Sequence, residues 1–184
     1  CSRDDRVRST RQERATKRPI SGSERPASVS RLALGLLLLT LASCGEPART
    51  IGEAAPAFDL PLLGGGRVTL EALRGKPALL DFWATWCEPC VQEIPELNAL
   101  QQELSATGVR ILAISIDTLP PEELARWVRE HGIEYPVALA SVDLASAYGA
   151  DAFPFHVLLG PDGTVLKRLE AGFHDRAELR ALVD

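Results

Sequence analysis

The chain contains no methionine, three histidines and four cysteines in 184 residues. Four cysteines are too few to staple a disulfide miniprotein of this length, so stability has to come from a packed core. The longest candidate membrane segment, Leu32 to Ala42, has 11 residues. A spanning helix needs roughly 20, so this run is too short to cross a bilayer. Basic charge is missing where a fold would form. Residues 1–31 carry a net charge of +5, residues 32–43 none, and residues 44–184 a net −10. An acidic domain of this kind excludes a nucleic-acid-binding face, because phosphate neutralisation needs a basic surface. No Arg-Arg pair precedes the apolar run, which leaves a twin-arginine export signal unsupported. No internal repeat occurs. At 46% hydrophobic, the chain is not disordered as a whole.

The run from Leu32 to Ala42 has the size of a signal-peptide h-region. Leu41-Ala42-Ser43-Cys44 follows it and resembles the bacterial lipobox, in which the cysteine is lipidated and becomes the first residue after cleavage. The resemblance implies acyl chains on Cys44, and more than one chain makes anchoring stable where a single chain is marginal. Val29-Ser30-Arg31 reads as a complete n-region. With Cys1 first and methionine absent, translation is expected to start at Val29. The expected organisation is a gene-model extension or disordered tail over 1–28, a lipoprotein signal peptide over 29–43, a tether over 44–55, and one domain over 56–184.

Folded structure is expected from about Ala57. Phe58 to Leu60 and Arg67 to Leu70 flank Gly64-Gly65-Gly66, a hairpin signal, and a helical turn over 71–74 follows. Ala78 to Trp83 is an apolar run that reads as a buried central strand. Val91, Ile94, Leu97, Leu100 and Leu104 show helical spacing over 88–105, and Pro95 inside that helix should kink it. Val109 to Ile116 reads as a second strand, and a helix opens at Pro120 and ends near Gly132. Pro136 to Leu139 is a short strand and 143–148 a short helix. Phe155 to Leu159 and Thr164 to Leu169 are strands joined by Pro161-Asp162-Gly163. The last helix covers 175–183 with Asp175 as its N-cap. Strands alternating with helices and ending in a hairpin predict an α/β sandwich around a mixed sheet.

The chemistry centres on Trp86-Cys87-Glu88-Pro89-Cys90, which follows the strand over 78–83 and opens the helix over 88–105. Two cysteines three apart at a helix start can close a small disulfide ring. The first faces unpaired backbone N–H groups and the positive end of the helix dipole. Both favour thiolate, the nucleophilic form. Cys87 is therefore the expected attacking sulfur, exposed at the helix end. Cys90, one turn in and more buried, is the resolving one. Zinc would need two further ligands, and His131, His156 and His174 show no paired spacing, so no metal is expected. A static bridge of so small a loop would add little stability.

The segment from Leu80 to Cys90 resembles the active-site segment of the thioredoxin superfamily, and within it the TlpA/ResA-like group of extracytoplasmic thiol-disulfide oxidoreductases. The likeness spans about residues 53–184 and includes the Phe58-to-Leu70 hairpin, which that group adds before the thioredoxin core. It implies a thioredoxin-like three-layer sandwich with a central mixed sheet plus an N-terminal β-hairpin. Pro95 matches the family's kinking proline. Ala152-Phe153-Pro154 matches the cis-proline segment, so Pro154 is expected cis, turning the Phe153 backbone toward the cysteines where a substrate strand can pair with it. Asp81 matches the buried aspartate of thioredoxins proper, where much of the ResA-like group has asparagine, and is a candidate proton acceptor for Cys90. Glu93 matches a ResA-like acid near the cysteines and is the rival for that role. Trp86, Glu88, Pro89, Phe153 and Pro154 are the expected substrate-facing residues, and Trp83 is expected to pack beside the site.

Glu88 opposes a second negative charge on Cys87, which favours a more reducing couple. The likeness implies no cofactor beyond the redox-active pair Cys87 and Cys90. It implies disulfide-containing envelope proteins, apocytochrome c among them, as substrates, and a membrane electron donor of the CcdA/DsbD type. A peroxiredoxin-like peroxidase is an alternative, but the P-x-x-x-T/S-x-x-C constellation has Leu80 and Ala84 at its matching positions. A Cu(I) carrier using the two thiolates with His156 or His174 is another. The two-residue spacer between the cysteines disfavours it.

Overall fold

The computed structural model describes residues 50–184. The expected leader, Cys44 and the first half of the tether, residues 44–49, lie outside the described residues. The centre of the domain is β3 (Ala78–Trp83), buried at all six positions. A strand buried on both faces needs the near-continuous apolar run seen there. β4 (Arg110–Ser115) runs parallel to it with Leu80 opposite Leu112, and β5 (Val137–Leu139) runs parallel to β4. On the other side β6 (Phe155–Leu159) is antiparallel to β3, and β7 (Val165–Leu169) is antiparallel to β6. The order is β5-β4-β3-β6-β7, a mixed five-stranded sheet with helices on both sides. This is the expected sandwich.

The longest helix and the last begin at side-chain caps, Cys87 and Asp175. α2 (Glu88–Leu104) starts at Cys87 and continues through Pro95, whose ring nitrogen leaves the Val91 carbonyl without its intrahelical donor. α3 (Pro121–Glu130) opens on proline, which suits the first helical turn, and α4 is Val142–Ala147. α5 (Arg176–Val183) carries a capping box: the Asp175 carboxylate accepts from Glu178 N, and the Glu178 carboxylate accepts from Asp175 N. α2 and α5 pack against one another.

The N-terminal hairpin, β1 (Asp59–Pro61) and β2 (Arg67–Thr69), leads into the single turn α1 (Leu70–Leu73). Its tip needs Gly65 and Gly66 at φ of 92° and 81°, a region that side chains disfavour. Order begins earlier than the expected Ala57. Gly52 N donates to Val165 O at 2.7 Å, Val165 N to Glu53 O at 2.9 Å, and Ala55 N to Gly163 O at 2.9 Å. The end of the expected tether is thus docked, because β7 offers a sheet border and Ala54 and Ala55 are small enough to lie along it. The same N-terminal stretch reaches the opposite border, where Leu62 bridges Ala138 and Leu63 N donates to Val137 O. Between these fastenings Phe58 and Leu60 are buried, and the Tyr148 hydroxyl donates to the Pro56 carbonyl at 2.7 Å.

Candidate active site

The site forms where β3 hands over to α2. Asp117, just beyond β4, accepts from Thr85 N (3.0 Å), Thr85 Oγ1 (2.6 Å) and Ser115 Oγ (2.7 Å). It pins the turn that delivers the cysteines, and the sequence alone did not single it out. Cys87 is the N-cap of α2, with its sulfur accepting from Cys90 N at 3.3 Å. Cys87 and Cys90 are joined as a disulfide, with Cα atoms 5.3 Å apart. The expected contrast in burial is not found: Cys87 is 5% exposed and Cys90 4%. In the closed ring both sulfurs lie against the end of the helix. Glu88 is exposed and accepts from Gln92 Nε2, and Pro89 is half-buried in the first turn.

In front of the ring stands an aromatic pair. Trp86 is 66% exposed, and its ring meets Phe153 edge-on with centroids 6.1 Å apart. The Phe153-Pro154 bond is cis, as the resemblance implied. Phe153 lies just outside β6, whose pairing with β3 begins at Phe155 opposite Phe82. Trp83 is buried and packs on Trp127, which stacks in turn on His131.

Four titratable side chains cluster in the interior behind β3. Asp81 and His156 are register partners on β3 and β6, Glu93 comes from α2, and His174 from the loop before α5. His156 Nε2 lies 3.5 Å from Asp81 Oδ1 and 3.2 Å from Glu93 Oε2. His174 Nδ1 lies 3.2 Å from Glu93 Oε1, which also accepts from the His174 backbone N. Burial pushes the Asp81 carboxyl up to about 7; the His156 ring opposes this and Glu93 adds to it. Burial likewise lifts Glu93 to about 7 against the hydrogen bonds and charge of His174. Burial pushes His156 down, with Asp81 opposing. The contacts around His156 are therefore imidazole to carboxyl, not a formal ion pair. Asp81 and Glu93 both sit in the protein interior.

In the sequence His156 and His174 enter only as alternative Cu(I) ligands, because nothing in their spacing relates them to one another or to Glu93. Their convergence depends on how β6 pairs with β3 and where the loop before α5 returns. Among the described residues, the only His, Cys, Asp and Glu group placed to share an ion is Glu93 with His156 and His174, and it contains no cysteine. The arrangement expected for a thiolate–histidine copper carrier is not the one formed.

A sequence model described as the AhpC/TSA family matches residues 51–175. The chain is 33% identical over 120 residues to the thiol-disulfide oxidoreductase ResA of Bacillus thuringiensis, covering 65% of this chain and 69% of that protein. It is 31% identical over 136 residues to ResA of Bacillus subtilis, covering 73% and 75%. Among solved structures, a candidate DsbE thiol:disulfide interchange protein of Chlorobium tepidum superposes with a TM-score of 0.66 at 30% identity, over 73% of this chain and 95% of that one. The thioredoxin domain of a Bacteroides vulgatus thiol-disulfide oxidoreductase does so with 0.64 at 25% identity, over 73% and 99%. Fold and site together define the class: the chain belongs to the AhpC/TSA family, in its thioredoxin-fold form. Leu80 and Ala84 occupy the positions of a peroxidatic constellation, and both are buried and apolar. More particularly, the chain is a thiol-disulfide oxidoreductase of the ResA and DsbE type.

Proposed function

We propose that this protein is an exported, lipid-anchored reductant of protein disulfides in the cell envelope. The observation that carries the redox reading is the Cys87–Cys90 ring at the N-terminus of α2, with the exposed Trp86 packed on the half-buried Phe153 before it and the buried acids Asp81 and Glu93 in the interior. In the dithiol form, the Cys87 thiolate attacks one sulfur of a substrate disulfide. One substrate thiolate leaves, and a mixed disulfide joins Cys87 to the substrate. Cys90 then loses its proton to Asp81 or Glu93 and attacks the Cys87 sulfur. The ring closes and the second substrate thiolate departs. Two electrons pass to the substrate, which gains two protons. The Trp86–Phe153 pair gives an extended substrate segment an apolar seat, and the Phe153 backbone, lying outside β6, is available to pair with it.

The h-region and the lipobox-like segment ending at Cys44 support export and anchoring. Resemblance to the TlpA/ResA-like group supports apocytochrome c among the substrates, and regeneration by a CcdA/DsbD-type membrane donor. No helix among the described residues is long and apolar enough to cross a membrane.

The deciding measurement is the reduction potential of the Cys87/Cys90 couple against glutathione or dithiothreitol buffers. The exposed Glu88 charge beside the attacking sulfur leads us to expect a value more reducing than about −200 mV, toward the thioredoxin end of the range. A value of about −120 mV, characteristic of a strong oxidant, overturns the assignment as a reductant.

A further inference from the structure

We propose that Glu93, His156 and His174, with Asp81 beside them, form a binding site for one borderline divalent cation of the zinc class. The ligand atoms of the first three lie within 4.8 Å of one another. Asp81 Oδ1, 3.5 Å from His156 Nε2, is placed to complete the set. A tetrahedral ion with arms of about 2.0–2.2 Å separates its ligand atoms by roughly 3.3–3.6 Å. Three contacts, at 3.2, 3.5 and 3.2 Å, are close to that spacing, Glu93 facing His156 with Oε2 and His174 with Oε1, so that both of its oxygens border the site.

Independent support comes from atoms left without partners. Asp81 Oδ1, Glu93 Oε2 and both ring nitrogens of His156 are buried and make no hydrogen bond. His156 Nε2 sits between two carboxyl groups and is aligned for a hydrogen bond with neither. A cation serves all three groups at once. Among the described residues neither acid is paired with a lysine or arginine, so two carboxyl groups share this interior with no fixed positive charge from them. Two imidazoles with one or two carboxylates are a donor set suited to zinc, not to the oxygen-seeking magnesium or calcium.

Three of the four ligands stand on β3, β6 and α2, which are rigid. His174 stands on a loop, is 13% exposed, and lines a groove between β7 and α5 that opens to solvent. The groove supplies an entry path, and the loop supplies the movement that closes the ligand set. One consequence rests on the reductant reading above: a bound cation holds Asp81 and Glu93 as carboxylate ligands, unavailable to take the Cys90 proton. Zinc then slows disulfide exchange. The binding itself does not depend on that reading.

The test uses the full chain, oxidised so that Cys87 and Cys90 are closed, with Cys1 and Cys44 alkylated so that no thiol competes. Zinc is titrated calorimetrically. Cobalt(II) is titrated as a spectroscopic probe, whose visible bands report low-coordinate nitrogen and oxygen ligation without a sulfur charge-transfer band. One equivalent per chain is expected, with a rise in the unfolding midpoint in excess zinc. Affinity should fall at least tenfold in His174→Ala and be lost in Glu93→Gln and His156→Gln. Magnesium in excess should not displace the ion. His174→Ala tests the site even if the two buried variants fail to fold, because that ring stands on a loop. Absence of saturable binding, or zinc affinity unchanged in His174→Ala, overturns the proposal. If binding is found but zinc leaves the exchange rate untouched, the cation site stands and the proton-acceptor roles of Asp81 and Glu93 fall.

Discussion

Asp81 ties native stability to pH through its proton. Burial keeps it a neutral acid up to about pH 7, whereas in an unfolded chain it ionises from about 3.8. Between those values the native state holds more protons than the unfolded one, so native stability falls as pH rises. The group's contribution is complete below about pH 3.8 and lost as pH passes about 7. Three pH units correspond to roughly 4 kcal/mol as an upper order of magnitude. Asp81→Asn removes this dependence. In chelator, the oxidised variant should melt close to the parent at about pH 4 and progressively above it toward pH 8. A melting difference that does not grow with pH would show that Asp81 is not held neutral. The same variant should slow exchange without abolishing it, since Glu93 remains; an unchanged rate and an unchanged Cys90 titration remove Asp81 from the chemistry. The two sulfurs separate by a simpler experiment. Cys90→Ser should accumulate a mixed disulfide with a substrate protein, visible on non-reducing gels, because nothing resolves it. Cys87→Ser should form none through Cys90. Equal trapping by both would remove the assigned order of attack.

At the scale of elements, the active turn is stiffened from the side. Asp117 accepts three hydrogen bonds that tie the end of β4 to the segment before Cys87. Asp117→Ala leaves Thr85 N and two hydroxyls unpaired and should cost about 2 kcal/mol by denaturant titration. It should also lower the exchange rate, because the cysteine turn loses its brace. A stability loss below about 0.5 kcal/mol would place the brace elsewhere. The elements themselves were largely legible. β3 and β6 span the predicted residues, and Asp175 caps α5 as expected, because those signals are local: an apolar run of strand length, and a side chain that accepts a backbone N–H. Cys87, Cys90 and the cis bond before Pro154 were readable through motif and resemblance. Non-local facts were not. Glu93 reads along the sequence as one face of a helix, and only packing against β3 and β6 shows that it meets His156 and His174. Asp117 reads as a loop acid until β4 is set beside β3.

Across the whole molecule, the docking of Gly52 to Ala55 changes what a truncation does. Removing residues up to Ala55 takes away the bridge from Ala54 to Thr164 and the hydrogen bonds to Gly163 and Val165. It leaves the start of β7 open as a pairing template. The shortened domain should melt lower than one beginning at Arg49 and should form oligomers on concentration, as read by light scattering. Equal melting and a strictly monomeric truncated form would show that this docking adds nothing.

The fastening of Ala54 to Thr164 also sets an order of events during synthesis. A chain that leaves the ribosome N-terminus first has Gly52 to Ala55 in hand early, but the strand they dock on is among the last pieces made. The cysteine helix and the strands on either side of it can therefore assemble while one border of the sheet is still unsealed. Contacts this far apart in sequence close slowly. The chain then passes through a stage at which its cysteine helix is already formed and its final seam is still open.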